Sequence, residues 1–167
     1  MVRTLYLIRH AEAEEAVHGV KDFDRQLTPL GMRNASRMGK LLSDYNISPD
    51  LMVSSTALRA SGTAELISEQ LKLPVGKLEY LDQIYDASVR SLFNYICELN
   101  VEYKTVVIIG HNPVLVYLGE YLTKKAINKL VPCGILQIGF DLDSWSEVSE
   151  GNGTLMNYYA PHNFDEE

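Results

Sequence analysis

Apolar residues in this chain fall into short continuous runs that alternate with longer amphipathic stretches. Six runs have the composition of β-strands: residues 3–9, 51–53, 78–81, 105–109, 134–140 and 154–160. The first and the fourth are apolar almost throughout, which is typical of strands buried on both faces of a parallel sheet. The last two are close enough in sequence to pair antiparallel. The pattern predicts a mostly parallel central sheet that the last two strands make mixed.

Four amphipathic stretches between these runs predict helices, because apolar residues recur there every three or four positions. The positions are Ala35, Met38, Leu42 and Tyr45; Ala60, Ala64, Ile67 and Leu71; Val89, Leu92, Ile96 and Leu99; and Val114, Leu118 and Tyr121. Capping residues or a proline precede each stretch, at Thr28-Pro29, Ser54-Ser55-Thr56, Ser88 and Asn112-Pro113. Strands that alternate with helices indicate a three-layer α/β/α sandwich.

The domain organisation follows from the length of the chain, which is 167 residues and suits a single domain over residues 1–167. The polar residues 11–26 predict a long loop leaving the edge of the sheet, where binding residues are common. The acidic residues 163–167 predict a frayed tail.

Composition narrows the class of protein. Hydrophobic residues make up 46% of the chain and charged residues 22%, which is typical of globular proteins. A net charge of −7 argues against sequence-independent nucleic-acid binding, which needs a basic face, so any anion site must be local. The two cysteines are too few for a disulfide framework or a metal cluster. With no apolar stretch near the ~20 residues of a membrane span and no signal-peptide pattern, we expect a cytoplasmic protein without membrane contact.

Three strand ends carry polar side chains that suit one anion. They are Arg9 and His10 after the first strand, Ser54, Ser55 and Arg59 after the second, and His111 after the fourth. Ligands bind beyond the carboxyl ends of strands in open α/β sheets, and the arginine fork matches phosphate. A neutral imidazole is nucleophilic near pH 7, so His10 is a candidate for attack on phosphorus, which would give a phosphoramidate. We expect nearby positive charge to lower the pKa of His10, and His111 as imidazolium to donate a hydrogen bond to a phosphate oxygen.

Each of these residues alone also has a structural interpretation. A histidine at a strand end can cap backbone groups, Arg9 and Arg59 can form salt bridges, and Ser54 and Ser55 are common turn and cap residues. The functional interpretation rests on their occurrence together.

Four motifs follow one another along this sequence: Leu7-Ile8-Arg9-His10-Ala11-Glu12, Leu27-Thr28-Pro29-Leu30-Gly31, Ser54-Ser55-Thr56-Ala57-Leu58-Arg59-Ala60 with Thr63-Ala64, and Gly110-His111-Asn112-Pro113. In this order they resemble the motifs of the histidine phosphatase superfamily, the phosphoglycerate-mutase-like proteins. The resemblance implies the phosphoglycerate-mutase-like fold, with His10 as the phosphorylated nucleophile and a phosphate pocket that contains Arg9, Arg59 and His111. It also implies no metal and no cofactor.

The short chain, Ala11 in place of the usual glycine, and Asp24-Arg25-Gln26-Leu27 look most like the SixA-type branch. That resemblance implies a phosphohistidine phosphatase that acts on a phosphorylated protein of the histidine phosphotransfer kind. One departure is Gln83, which stands where many superfamily members carry a glutamate proton donor. A phosphohistidine substrate needs that donor less, because imidazole leaves more easily than an alkoxide. Asp86 or Glu79 remains a candidate donor, subject to geometric reach.

Two alternatives stay open. The chain could be a phosphomonoesterase or mutase acting on a small phosphorylated metabolite, although its length leaves little room for a lid. It could also be a non-catalytic phosphate-binding interaction module, which the missing glutamate would permit.

Overall fold

The computed structural model describes residues 2–162 and contains six strands and four α-helices in this range. The strands are β1 (Val2–Arg9), β2 (Leu51–Ser55), β3 (Leu78–Leu81), β4 (Thr105–Gly110), β5 (Ile135–Asp141) and β6 (Thr154–Tyr159). The helices are α1 (Pro29–Asp44), α2 (Leu58–Leu71), α3 (Val89–Cys97) and α4 (Val114–Thr123). All ten predicted elements are therefore confirmed, with ends that differ by one or two residues in most cases. The predicted tail at residues 163–167 lies outside the described residues.

The six strands form one sheet in the order β3-β2-β4-β1-β5-β6. The pairs β3–β2, β2–β4 and β4–β1 are parallel, whereas β5 runs antiparallel to both β1 and β6. The mixed sheet predicted from the sequence is thus confirmed. In the central β1–β4 pair, Arg9 lies opposite Gly110, so the two strands end at the same level of the sheet.

Alternate residues of β1 face two separate cores, as expected for a strand buried on both faces. Leu5 and Leu7 pack into the cluster that receives the apolar faces of α3 and α4. Tyr6 and Ile8 pack into the cluster that receives α1 and α2. The sheet is therefore the middle layer of an α/β/α sandwich, and the predicted fold class is confirmed.

The predicted starts of α1 and α3 are confirmed. The Thr28 hydroxyl accepts a hydrogen bond from the backbone N–H of Gly31, with Pro29 as the first helical residue. Ser88 accepts from the N–H of Ser91, whose hydroxyl in turn accepts from the N–H of Ser88. This reciprocal pair is a capping box and satisfies two backbone donors.

The predicted starts of α2 and α4 are wrong. The N-cap of α2 is Ala57, because Ser54 and Ser55 still belong to β2. The N-cap of α4 is Pro113 rather than Asn112, whose side-chain amide donates instead to the carbonyl of Leu130. Ser55 and Asn112 are of residue types that often cap helices, but here their side chains contact residues far away in the sequence.

Two further expectations are corrected. Residues 11–26 do not form a plain loop, since Ala13 pairs with Leu27 in an isolated bridge and Asp22–Asp24 form a short 3-10 helix. Tyr45 follows the end of α1 and is 59% exposed, so it does not belong to the inner face of that helix. None of the helices within residues 2–162 is long and apolar enough to cross a bilayer.

The chain after His10 packs tightly against the start of α1. The Glu12 carbonyl accepts a hydrogen bond from the N–H of Thr28 at 3.0 Å. A Cβ atom at Gly31 would overlap this carbonyl oxygen. Gly31 therefore permits the close approach that fixes the segment following His10.

We expect Gly31→Ala to lower the free energy of unfolding by about 1–3 kcal/mol, because the Glu12 backbone must move to admit the methyl group. Gly76→Ala is the matched control, since a methyl group at that position would meet open space, and its effect should stay within about 0.5 kcal/mol. Urea unfolding of both variants measures the difference. Equal stability of the two variants would contradict the close approach.

Candidate active site

The structure brings the two predicted histidines side by side. His10 follows β1 and His111 follows β4, and their ring centroids are 5.3 Å apart. The backbone N–H of His10 donates to the carbonyl of Gly110 at 3.0 Å, which continues the parallel pairing by one residue. His111 is 8% exposed, whereas His10 is only partly buried.

The two predicted arginines flank these rings. Arg59 lies in the first turn of α2 with a side chain that is only 7% exposed. Arg9 ends β1 and donates from Nη1 to the carbonyl of Leu130 at 3.0 Å. Both guanidinium groups lower the pKa of both histidines through their charge, which places all four groups within electrostatic range of one another.

The hydrogen bond of His10 fixes its tautomer. Nδ1 lies 2.8 Å from the carbonyl oxygen of Ala11. A carbonyl oxygen can only accept, so Nδ1 carries the proton and Nε2 keeps its lone pair. The nitrogen that can attack an electrophile is therefore Nε2.

A short chain of hydrogen bonds orients His111. Its Nε2 lies 2.8 Å from the hydroxyl of Ser55, which accepts from the backbone N–H of Ala57 at 3.2 Å. When the Ser55 hydroxyl donates to Nε2, the ring proton is on Nδ1, which makes Nδ1 a donor. The role of Ser55 was not predicted, because a serine before a helix is most often a cap.

Thr63 links the segment after Arg9 to the helix that carries Arg59 through two hydrogen bonds. Its hydroxyl donates to the carbonyl of Arg59 at 2.7 Å and accepts from the N–H of Ala11 at 2.9 Å. This residue belongs to the motif identified in the sequence. It fixes the start of α2 relative to the residue that follows His10.

Both histidines are neutral at physiological pH. Burial lowers the pKa of His10 to about 3, with smaller contributions from His111, Arg59 and Arg9. Burial, followed by the charge of Arg59, lowers the pKa of His111 to about 4. The expected lowering at His10 is found, but its largest cause is burial rather than positive charge. His111 is not the imidazolium that the sequence suggested, and a bound dianion would be needed to raise its pKa.

Several buried donors of the site have no partner within residues 2–162. They are Nε of Arg9, Nε of Arg59 and Nδ1 of His111. An unsatisfied buried polar group costs about 1–3 kcal/mol, so such groups are uncommon and call for an explanation. Three donors in one cluster provide the hydrogen bonds that an anion with several acceptor oxygens would take.

Two residues that were not predicted complete the site. The ring of Tyr85 lies 5.5 Å from the His111 ring and 5.9 Å from the Arg59 guanidinium carbon. The carboxylate of Asp22 forms an ion pair with Arg59 at 3.0 Å. In the sequence, both looked like ordinary polar residues of connecting segments, and only their contacts identify them.

The candidate proton donor Asp86 is exposed, and its charge raises the pKa of His111. It is therefore near the site.

The carboxylate of Glu12 accepts a hydrogen bond from the Thr28 hydroxyl at 2.7 Å, outside the cluster of histidines and arginines. Within residues 2–162, no group of three or more His, Cys, Asp or Glu side chains could hold a metal ion.

The family model of the histidine phosphatase superfamily (branch 1) matches residues 5–85, a range that includes Arg9, His10 and Arg59 but ends before His111. Mitochondrial serine/threonine-protein phosphatase PGAM5 of Xenopus tropicalis is 44% identical over 69 residues, which is 41% of this chain and 24% of that protein. This chain thus spans about a quarter of that relative's length.

Solved structures are similar over nearly their whole length. Protein histidine phosphatase SixA complexed with tungstate has a TM-score of 0.83 at 24% identity, covering 97% of this chain and 99% of that chain. A candidate phosphohistidine phosphatase SixA from Agrobacterium tumefaciens has a TM-score of 0.82 at 25% identity, covering 95% and 98%. These similarities show that the fold is shared.

We expect the buried histidines to make the protein acid-labile. Each titrates near pH 6.5 when unfolded but at about 4 (His111) or about 3 (His10) when folded. The unfolded chain therefore binds more protons below pH 6.5, and stability falls as the pH drops from 6.5 towards 4, by up to about 1.4 kcal/mol per pH unit for each histidine. The unfolding midpoint should fall less between pH 7 and 5 in His111→Gln than in wild type. Equal losses would contradict the lowered pKa of His111.

Proposed function

We propose that the chain is a phosphohistidine phosphatase of the histidine phosphatase superfamily that works through a phosphorylated His10. The match to this family over residues 5–85 supports a phosphatase hydrolase. The observation that carries the proposal is the cluster of buried donors at Arg9 Nε, Arg59 Nε and His111 Nδ1, which have no partner among residues 2–162 and lie near an imidazole whose Nε2 keeps its lone pair. A phosphoryl group offers the acceptor oxygens and negative charge that this cluster lacks.

In the first step, Nε2 of His10 attacks the phosphorus atom of the substrate. A bond forms between Nε2 and phosphorus while the bond from phosphorus to the substrate nitrogen breaks, and that nitrogen takes the electron pair. The His10 ring becomes positively charged, and the Ala11 carbonyl that accepts from Nδ1 stabilises this charge. Arg9, Arg59 and His111 donate to the phosphoryl oxygens.

In the second step, water attacks the phosphorus of phospho-His10. The bond from phosphorus to Nε2 breaks, His10 regains its lone pair, and inorganic phosphate leaves. The hydrogen bond from Nδ1 to Ala11 keeps the ring in the tautomer needed for the next cycle.

The acids near the site support a phosphohistidine substrate. Asp22 cannot act as a general acid at neutral pH, because its hydrogen bonds with Tyr85, Arg25 and Arg59 hold its pKa well below the usual range. Gln83 cannot donate a proton usefully either. A substrate imidazole whose other nitrogen is protonated leaves as a neutral ring and takes no proton from the enzyme. The chemistry available in this site therefore suits an N–P bond better than an ester.

The partner that follows from this proposal is a phosphorylated protein of the histidine phosphotransfer kind in the cytoplasm. A similar structure carries the name protein histidine phosphatase SixA, and its fold is shared over nearly the full chain. Asp86 keeps the role of a candidate donor for substrates with poorer leaving groups.

We expect His10→Ala to abolish formation of a phosphoenzyme and to lower phosphatase turnover by about 10³-fold or more, because the attacking nitrogen is lost. Incubation with radioactively phosphorylated histidine phosphotransfer protein, followed by an alkaline gel, measures the acid-labile label on the chain. His18→Ala is the control, since His18 is an exposed histidine of the 11–26 segment and should retain label and turnover. Turnover of His10→Ala at the wild-type rate would rule out the nucleophile.

We also expect turnover of a phosphohistidine protein to exceed that of small phosphomonoesters, because neither Asp22 nor Gln83 is suited to protonate an alkoxide. A panel with sugar phosphates and phosphoglycerates at equal concentration measures the ratio of kcat/KM. A preference for a small ester would favour the metabolite phosphatase. Phosphate binding without turnover of any substrate would favour the interaction module.

A further inference from the structure

Asp22 is held by the same kinds of donors that a phosphoryl group would use. Its Oδ2 accepts from the Tyr85 hydroxyl at 2.6 Å and from Arg59 Nη2 at 3.0 Å. Its Oδ1 accepts from Arg25 Nη1 at 2.9 Å. Two guanidinium groups and a hydroxyl around two anionic oxygens form a small anion site that is filled by a side chain of this chain.

The contact occupies the end of the Arg59 guanidinium. Nη2 donates to the Asp22 carboxylate, and Nη1 donates to the Asp22 backbone carbonyl at 2.7 Å. Nε has no partner within the described residues. Both terminal nitrogens of this phosphate-pocket residue are thus engaged by Asp22 before any substrate arrives.

We propose that Asp22 competes with phosphoryl groups for Arg59 and thereby determines how tightly this site holds phosphate. The inference rests on the proposed function, because it concerns the affinity of the same pocket. A free phosphate ion must displace the Asp22 carboxylate, or bind beside its negative charge, so its affinity is reduced. The enzyme then releases inorganic phosphate readily, while a protein substrate can offset the competition through contacts outside the pocket.

The burial of the two partners indicates which one moves. The Asp22 side chain is 51% exposed, whereas that of Arg59 is 7% exposed. Asp22 also belongs to a 3-10 helix of only three residues, Asp22–Asp24, of which no residue is buried. A displaced Asp22 carboxylate can be hydrated at once, while Arg59 stays fixed by α2.

The test is the affinity for inorganic phosphate of full-length wild type, Asp22→Asn and Asp24→Asn, measured by calorimetry. Asp24→Asn is the matched control, because it removes the same charge from the same short helix at an exposed side chain. We expect Asp22→Asn to bind phosphate about tenfold more tightly, since one ion pair and its charge-assisted hydrogen bonds no longer compete. Asp24→Asn should bind like wild type, and phosphate should inhibit turnover of Asp22→Asn at correspondingly lower concentration.

Three results would overturn the inference. Equal affinity in Asp22→Asn would show no competition, and weaker affinity would show that Asp22 orients Arg59 instead. An equal gain in Asp24→Asn would show a general charge effect. Should Asp22→Asn fail to fold, Asp22→Ser replaces it, because it removes the same carboxylate from Arg59; a gain in affinity supports competition and no gain refutes it. Wild type that neither binds phosphate nor turns over any phosphorylated substrate would refute the proposed function itself.

Discussion

The parallel pairing of β1 with β4 is the constraint on which the candidate site depends. Because Arg9 lies opposite Gly110, the residues that follow, His10 and His111, leave the sheet at one level, and their ring centroids are 5.3 Å apart. A register shift of two residues would separate them by roughly 7 Å along the strands. The apolar side chains of β1 are packed in two close-packed cores, and such a shift would disrupt the packing of both, so core packing sets the geometry of the polar groups.

Burial of the site has two opposite effects. It lowers the pKa of His10 to about 3, which keeps Nε2 unprotonated and available for attack at neutral pH. It also leaves donors of Arg9, Arg59 and His111 without partners within residues 2–162, which costs stability. Both effects have one cause, namely that much of each cation and imidazole lies where water solvates it poorly. The same donors without partners that disfavour folding favour the binding of an anion.

The sequence predicted those features that arise from local pattern. The apolar runs predicted all six strands, and the Thr28-Pro29 and Ser88 signals predicted two helix starts. The features it missed depend on contacts between distant segments. Ser55 and Asn112 have the chemistry of helix caps, but one hydrogen-bonds His111 and the other the carbonyl of Leu130. Asp22 lies in a polar segment whose pairing with Arg59, 37 residues away, leaves no periodic signal.

The net charge of −7 and the anion chemistry of the pocket are compatible, because charge acts over a limited range. At physiological ionic strength, exposed charges separated by more than about 8 Å are largely screened. The carboxylates nearest the pocket matter most, and that of Asp22 is already ion-paired with Arg59 and Arg25. An acidic surface can therefore coexist with the proposed phosphate pocket. Within that pocket, the nearest carboxylate has a larger electrostatic effect than the remote ones. In this fold that carboxylate is Asp22, which is ion-paired with Arg59.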